Sequence, residues 1–477
     1  MVNMMKNISI WKDNVRKKKY FKVSKNIDAD VLIIGGGITG ISTLYHLKDS
    51  SLKVVLVEQN RIGCSVTGNS TGKLSYLQND LIDKIEFCCG DMIAKEYIRS
   101  QRDAIQLITS VIKKENISCD LESVPSYVYT NYDSEVNKLK KLEGFLKREG
   151  CNIIHDKLNV ISSKYSFGVS NTYMFHPLKF VQKLAMSLSS DIYEETSIIK
   201  IEKYEDGYIC YTDQYQIKAH YVVIASHYPY FNLPFLFPIK GSLEKSYLSA
   251  SKMKCNKLSL ISYSSPFVSM RSYKDYFIYL SNSHDITSEV DDGKHFSELL
   301  KKVHDLKITP DYLWSNIDVM TNDGLPYIGE IQEKMLIGTG YNTWGLANGF
   351  MAGKIISDII MGKKNKYEKL FSPKRINMSQ MIGSVMDGIK SIQGYIKGYL
   401  NKNENIVYGK HNGKDIIIFK DGNREYKVYR HCPHLGCKLL FNEVEKTWDC
   451  PCHGSRFDID GKCISGPSNQ DISIQQD

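Results

Sequence analysis

The densest chemistry in this 477-residue chain lies near its C-terminal end, in Cys432-Pro-His434-Leu-Gly-Cys437 and Cys450-Pro-Cys452-His453-Gly-Ser455. Cys432 and His434 stand as Cys-x-His, and Cys450 and His453 as Cys-x-x-His. Two thiolates and two neutral imidazoles on paired loops suit a [2Fe–2S] cluster with both cysteines on one iron and both histidines on the other. Replacing two thiolates by neutral donors removes negative charge and raises the potential above that of an all-cysteine cluster. The same donor set also builds structural zinc sites. Cys437 and Cys452, at fixed offsets from the ligand pairs, favour the cluster.

A second constellation sits near the N-terminus. Gly35-x-Gly37-x-x-Gly40 follows the apolar run Val31–Ile34 and opens a helical stretch containing Ile38 and Thr39. Its first glycine permits a tight turn, its second lets the backbone approach a pyrophosphate, and its third lets helix and strand pack closely. The helix N-terminus faces the phosphate charge. Glu58 ends the next strand, where an acid accepts hydrogen bonds from a ribose hydroxyl. Gly338-x-Gly340 lacks a third glycine at the required place, so there is one nucleotide module and not two. A flavin enzyme that takes electrons from a nicotinamide nucleotide needs a second such module, so if the bound nucleotide is a flavin the electrons are expected to come from another substrate.

The elements that must hold these groups fall into three segments. Residues 28–375 begin with strand, glycine turn, helix and strand. Helical spacing covers 91–115 and 134–149, and 197–225 reads as a β-meander. A further strand–glycine–helix unit runs from Met335 to Met361, and the stretch around Pro229, Pro234 and Pro238 reads as a loop. Residues 376–402 carry Met381, Ile382, Val385, Met386, Ile389 and Ile392 at helical spacing and are expected to be an amphipathic linker helix, docked on a neighbouring domain or lying on a membrane surface. Residues 403–477 are rich in β-formers.

Composition is that of an ordinary globular protein, 42% hydrophobic and 24% charged, which excludes wholesale disorder. No stretch approaches the roughly 18–20 apolar residues of a membrane span. Residues 1–25 show no signal-peptide pattern, so a cytoplasmic location is expected. The net charge of +9 is concentrated in residues 1–27, where Lys6, Lys12, Arg16, Lys17, Lys18, Lys19, Lys22 and Lys25 face few acids. This is expected to be a solvated basic arm, the alternative being an arm that touches acidic lipid or a partner. The folded part shows no spread basic face, so nucleic-acid binding is not expected.

Residues 28–362 resemble the D-amino-acid oxidase, glycine oxidase and sarcosine oxidase superfamily of FAD-dependent oxidoreductases. The resemblance is carried by Gly35 to Gly40, Glu58, Arg61-Ile-Gly63, Ser65 to Leu74, Val222 to Ser226, Asp323 to Gly329 and Gly338 to Gly345. Ser226-His227 departs from the usual Thr-Gly. The resemblance implies an α/β fold, α+β in its substrate part: a Rossmann-like FAD-binding domain with an inserted mixed β-sheet substrate domain. It places FAD against Gly35, Gly37, Ile38, Thr39, Gly40, Glu58, Arg61, Ser65, Gly72, Gly340, Trp344 and Gly345. It puts Lys73 near the flavin as an aid to proton or oxygen chemistry, and Arg271 on a substrate-facing strand as a carboxylate clamp. Solvated or salt-bridging roles are the plain alternatives for both. Cys64, His176, His227 and His284 carry no assigned role.

Residues 405–470 resemble the Rieske domain of respiratory complexes, a small all-β unit. The resemblance implies Cys432, His434, Cys450 and His453 as ligands of a Rieske [2Fe–2S] cluster and a disulfide between Cys437 and Cys452. It sets Ser455 against a bridging sulfur, Phe457 where high-potential members have a tyrosine, and Gly466-Pro467 in a shielding loop. Together the halves, including Trp11, resemble bacterial flavin oxidoreductases with a C-terminal Rieske domain. The expected activity is a dehydrogenase that oxidises an amine or amino-acid-like substrate by hydride transfer to flavin and passes electrons through the cluster to an external acceptor. The alternatives are a Rieske-fed flavin reductase or hydroxylase running the other way, and a non-enzymatic redox sensor.

Overall fold

The computed structural model describes residues 5–13, 15, 19–158, 160–228, 241–286, 292–375, 406–422, 424–468 and 470–474. The stretch expected to be a linker helix, 376–402, and the loop around Pro229, Pro234 and Pro238 lie outside these residues.

Strand Ile27–Ile34 is a near-continuous apolar run because it is central. It pairs in parallel with Val54–Val57 on one side and with Gln216–Ile224 on the other. Asp191–Tyr193 extends the sheet past Val54–Val57, and Met335–Thr339 lies parallel to the C-terminal half of Gln216–Ile224. Helices Ile38–Leu47 and Gly345–Ile360 pack on each other over this sheet. A Cβ at Gly353 would stand 2.4 Å from the Ser42 side chain, so glycine sets how closely they meet.

The expected meander is Lys200–Tyr204, Gly207–Tyr211 and Gln216–Ile224, all antiparallel. Its third strand starts earlier than the β-rich run at Tyr221. The first half alternates exposed Gln216, Lys218 and His220 with buried Ile217 and Ala219, and only the second half is apolar on both faces.

A second, mixed sheet has the order Tyr312–Thr321, Gly241–Lys252, Tyr276–Asp285, Ser269–Tyr273, Ser259–Ser262, Ser126–Thr130, Tyr165–Val169 and Ile153–Ile154. Only the Ser259–Ser262 to Ser126–Thr130 pairing is parallel within it. The C-terminal part is all-β. It has two antiparallel sheets, Ile406–His411 with Lys414–Asp421 and Arg424–Tyr429, and Leu440–Asn442 with Thr447–Asp449, Arg456–Asp458 and Cys463–Ser465. They enclose a separate core built around Trp448, Phe457 and Ile417.

The N-terminal stretch corrects one expectation: residues 5–13 are not a solvated arm. The Lys6 amide donates to the Asp311 carbonyl (2.8 Å), and Leu313 returns the bond to Lys6 (2.9 Å). Trp11 is fully buried, with its indole N–H donating to the Ser70 carbonyl (2.6 Å) and its ring under the Arg271 guanidinium, 5.3 Å away. An aromatic side chain of this size outweighs the neighbouring lysines, whose charges stay at the surface on Asp13 and Asp213.

Candidate redox site

The two cysteine–histidine loops have the same construction. In the first, the Gly436 amide donates to the Cys432 carbonyl (2.9 Å). In the second, the Gly454 amide donates to the Cys450 carbonyl (3.0 Å). The left-handed backbone at Gly436 and Gly454 closes each turn. The loops are joined by a disulfide between Cys437 and Cys452. Sulfurs of Cys437, Cys450 and Cys452 lie close together, but two of them are bonded to each other, which leaves Cys450 as the donor of that trio.

Four donors then converge. Cys432 and Cys450 are buried, and their thiols share a hydrogen bond that pulls Cys432 below the ordinary thiol range and pushes Cys450 above it. The His434 and His453 rings are 5.0 Å apart at 87°. Each has a buried Nδ1 with no hydrogen-bond partner. Burial holds both rings below the usual histidine range, His453 at about 4, so both are neutral donors. Two neutral imidazole nitrogens and two neighbouring cysteine sulfurs, whose protons leave on binding, are the donor set that a histidine-ligated [2Fe–2S] cluster requires. Ser455 is fully buried, hydrogen-bonds the Cys432 thiol, and accepts from the Ser468 amide (3.0 Å). Gly466 approaches so closely that a Cβ there would lie 2.4 Å from the Ser455 Cα. Phe457 is fully buried and brings no hydroxyl.

The glycine motif opens onto a cavity of about 430 Å³. Gly35 has φ +112° and a Cβ there would meet the Ala225 carbonyl oxygen at 2.8 Å; a Cβ at Gly40 would lie 1.9 Å from the Gly35 oxygen. Glu58 is half-buried in this wall. Its carboxylate accepts from the Gly36 amide (2.7 Å) and the Asn60 amide (2.8 Å), while burial raises its pKa. Thr39 Oγ1 bonds the Tyr341 hydroxyl (2.7 Å), tying the first helix to the late glycine turn. This glycine cradle, with an acid at the end of the second strand, fits a dinucleotide.

Among the residues expected at the flavin, Gly35, Gly37, Ile38, Thr39, Glu58, Arg61, Ser65, Lys73, Trp344 and Gly345 line the cavity. Gly40, Gly72 and Gly340 do not; they shape it from behind, Gly72 and Gly340 each at φ +73°. The Arg61 guanidinium is held by Glu194 (2.8 Å) and Glu195 (2.9 Å). Lys73 is buried and donates to the Leu260 carbonyl (2.8 Å) and Ser269 Oγ (2.7 Å). Burial, then the nearby Arg271 charge, lowers its pKa well below the usual lysine range.

Arg271 departs from the expected carboxylate clamp. It does not line the cavity, and its Nη1 donates to the carbonyls of Thr71 (2.8 Å), Gly72 (2.6 Å) and Phe175 (3.2 Å). It fixes the loop that precedes Lys73. His176 caps the helix Pro177–Met186 by accepting from the Lys179 amide, and His284 stacks on His295 at 3.9 Å. Cys64 is half-buried and lies outside the disulfide. His227 lines the cavity with a buried Nε2 that has no hydrogen-bond partner. Asn79, Asp80, Glu244, Asn316 and Asp318 also line it and had escaped the sequence reading. The sole signal for the last two was period-two spacing on a strand, which does not say which face is wet.

The family model for FAD dependent oxidoreductases matches residues 30–359, and that for the Rieske [2Fe-2S] domain matches residues 398–475. The chain belongs to the FAD-dependent oxidoreductase family. It is 28% identical to YhfW of Bacillus subtilis (strain 168), named for a Rieske 2Fe-2S iron–sulfur centre, over 96% of this chain and 95% of that one. It is 23% identical to gamma-glutamylputrescine oxidoreductase of Escherichia coli (strain K12), over 72% of this chain and 87% of that one. Glycine oxidase from Geobacillus kaustophilus shares the fold at TM-score 0.61 and 17% identity, covering 74% of this chain and all of that one. This family member therefore binds FAD and carries a Rieske [2Fe–2S] centre. Among the described residues no helix is long and apolar enough to cross a membrane.

The Rieske part of the oxidoreductase is docked on the flavin part. Lys245 of strand Gly241–Lys252 reaches Glu445 and Asp449, each at 3.3 Å. Arg456 holds the same two acids at 2.7 and 3.1 Å, and Ser315 donates to Glu445 (2.8 Å). Two buried cations thus face two half-buried anions. Gln59 and Asn60 both donate to the Ile464 carbonyl, at 3.3 and 3.2 Å, which brings the third Rieske loop to the cavity rim beside Gly466.

Proposed function

We propose that this oxidoreductase is a dehydrogenase of amines or amino-acid-like compounds, whose electrons leave through its Rieske centre to an external one-electron acceptor. The observation that carries the reading is a shared wall. Strand Gly241–Lys252 turns Glu244, Ser246 and Leu248 toward the cavity, and Lys245 toward the Rieske part. Gly454, next to His453, abuts Leu243 and Ile286. One strand therefore separates the cavity from a cluster-binding loop.

When bound, FAD would supply two-electron acceptor chemistry for a carbon–hydrogen bond beside nitrogen, and a [2Fe–2S] centre held by Cys432, His434, Cys450 and His453 would supply one-electron transfer. The chain's own residues supply the setting. The glycine turn and Glu58 hold the nucleotide, and Lys73 offers an amine whose low pKa lets it take up a proton inside the cavity. Tyr341 and Trp344 close the wall at the start of helix Gly345–Ile360. The test is anaerobic mixing of the holoprotein with an amine substrate while following flavin absorbance and the reduced-cluster EPR signal. Flavin bleaching followed by cluster reduction is expected. Flavin bleaching with a cluster that stays oxidised until air is admitted refutes the reading.

A further inference from the structure

Glu244 and Asp318 are direct cross-strand partners on neighbouring antiparallel strands, and both face the cavity. Asp285 is the partner of Glu244 on its other side, so three carboxylates stand in a row across three strands. Like charges placed directly opposite each other are destabilising. Asp80 adds a further acid from the loop ahead of helix Leu81–Cys89. Among the described residues Lys84 acts on Glu244 from across the cavity, and its Nζ donates to the Thr321 carbonyl (2.8 Å).

The neutral groups beside the acids also call for donors. Asn316 is 7% exposed and lines the cavity. Its Nδ2 donates to Asp318 (3.1 Å), and its Oδ1 has no partner. Asn79 is 9% exposed, lines the same cavity, and has an Oδ1 likewise without a partner. Buried acceptors of this kind are normally satisfied. A group with several N–H donors and a positive charge would satisfy the amide oxygens and separate the carboxylates at once.

Among the described residues the cations at the cavity are already engaged. Arg61 is held by Glu194 and Glu195, Lys73 by Leu260 and Ser269, and Lys84 by the Thr321 carbonyl, while Arg271 does not line the cavity. We infer that Glu244, Asp318 and Asn316 form a subsite for a second, non-reacting ammonium group, so that the substrate is a diamine or polyamine rather than a simple α-amino acid. The reacting nitrogen must be unprotonated to release hydride, and a carboxylate pair against it would hold it charged. The acids therefore grip the far end of the substrate. Burial and the Glu244 charge push the Asp318 carboxyl up to about 7, as expected of a site awaiting a counter-charge.

This subsite rests on the cavity being that of an amine dehydrogenase, and the experiment separates the two claims. The anaerobic holoprotein is titrated with 1,4-diaminobutane, 1-aminobutane and 4-aminobutanoate, which differ only in a cationic, apolar or anionic far end. Binding is read from the flavin difference spectrum. The diamine is expected to bind about tenfold tighter than the monoamine or better, and the aminobutanoate weakest. In Asp318→Asn and Glu244→Gln the diamine-to-monoamine ratio should fall toward one. Equal, absent or reversed responses to the three probes in the wild-type protein overturn the subsite, whatever the variants do. The cluster EPR signal reports on the electron path independently: a diamine that binds tightest and bleaches flavin without reducing the cluster would sink the path and leave the subsite standing.

Discussion

Lys245 Nζ lies 3.3 Å from Asp449 Oδ2, so a lysine of the flavin part contacts the residue directly before the cluster cysteine Cys450. Lys245 is 4% exposed and Asp449 is held well below the usual carboxylate range by Arg456 and Lys245 against the cost of burial. The docking of the Rieske part on the flavin part therefore runs through a largely buried ion network.

Lys245→Met leaves Glu445 and Asp449 to Arg456 alone. Losing one partner from a buried ion network costs about 3–5 kcal/mol. Denaturant unfolding should show that loss, and stopped-flow mixing should show slower cluster reduction after unchanged flavin bleaching. Adding Asp449→Asn restores the balance of one cation to one anion and should recover part of the stability. Additive losses in the double variant would show that the two side chains are not coupled.

His453→Ala removes one of the two partnerless imidazole nitrogens. Iron content should fall from two per chain toward none, with loss of the long-wavelength absorption. The flavin bands should remain, because Ile34 and Val57, which lead into Gly35 and Glu58, belong to a different core. Full retention of iron in this variant would exclude His453 as a ligand.

The candidate ligands Cys432, His434, Cys450 and His453 could be singled out in the sequence because each Cys–His pair lies within one short loop, where spacing sets proximity; the Cys437–Cys452 bridge came from the resemblance, not from spacing. The glycine motif was legible for the same reason: strand, turn, helix and Glu58 are local. Arg271 was not. A buried arginine on a β-strand can point to a substrate or to carbonyls, and the choice depends on Thr71, Gly72 and Phe175, distant in sequence. Asp318 was missed because the register that sets it opposite Glu244 is a long-range property of the sheet. Trp11 was masked by the lysines around it, which say nothing about what one aromatic ring can bury.

Ser455→Ala should lower the cluster potential, because the hydroxyl that bonds the Cys432 sulfur is lost. It also leaves the Ser468 amide without its acceptor, a penalty of about 1–3 kcal/mol for a buried donor. Redox titration followed by EPR checks the first effect and thermal unfolding the second. An unchanged potential would mean that the hydroxyl faces the Ser468 amide alone. Phe457→Tyr should shift the potential the other way, if its added hydroxyl reaches a sulfur.

Asp318 gives the stability of the ligand-free holoprotein a definite pH dependence. Its carboxyl titrates at about 7 in the fold, against roughly 4 in an unfolded chain. Between those values the folded state keeps a proton that the unfolded state has lost, so stability falls as pH rises through this window and levels off above it. Glu244, raised by burial and by Asp285, adds in the same direction, while Lys84 opposes it. Asp318→Asn should remove most of the fall, so that the melting-temperature difference between variant and wild type grows from about pH 4 to about pH 7 and levels off above that. A cationic ligand should reverse the trend in the wild-type protein, because it binds the ionised pair: 1,4-diaminobutane should raise the melting temperature more at the higher pH. A variant whose melting curve tracks the wild type across this range would show that Asp318 is ionised throughout and that its repulsion from Glu244 is already compensated within the fold.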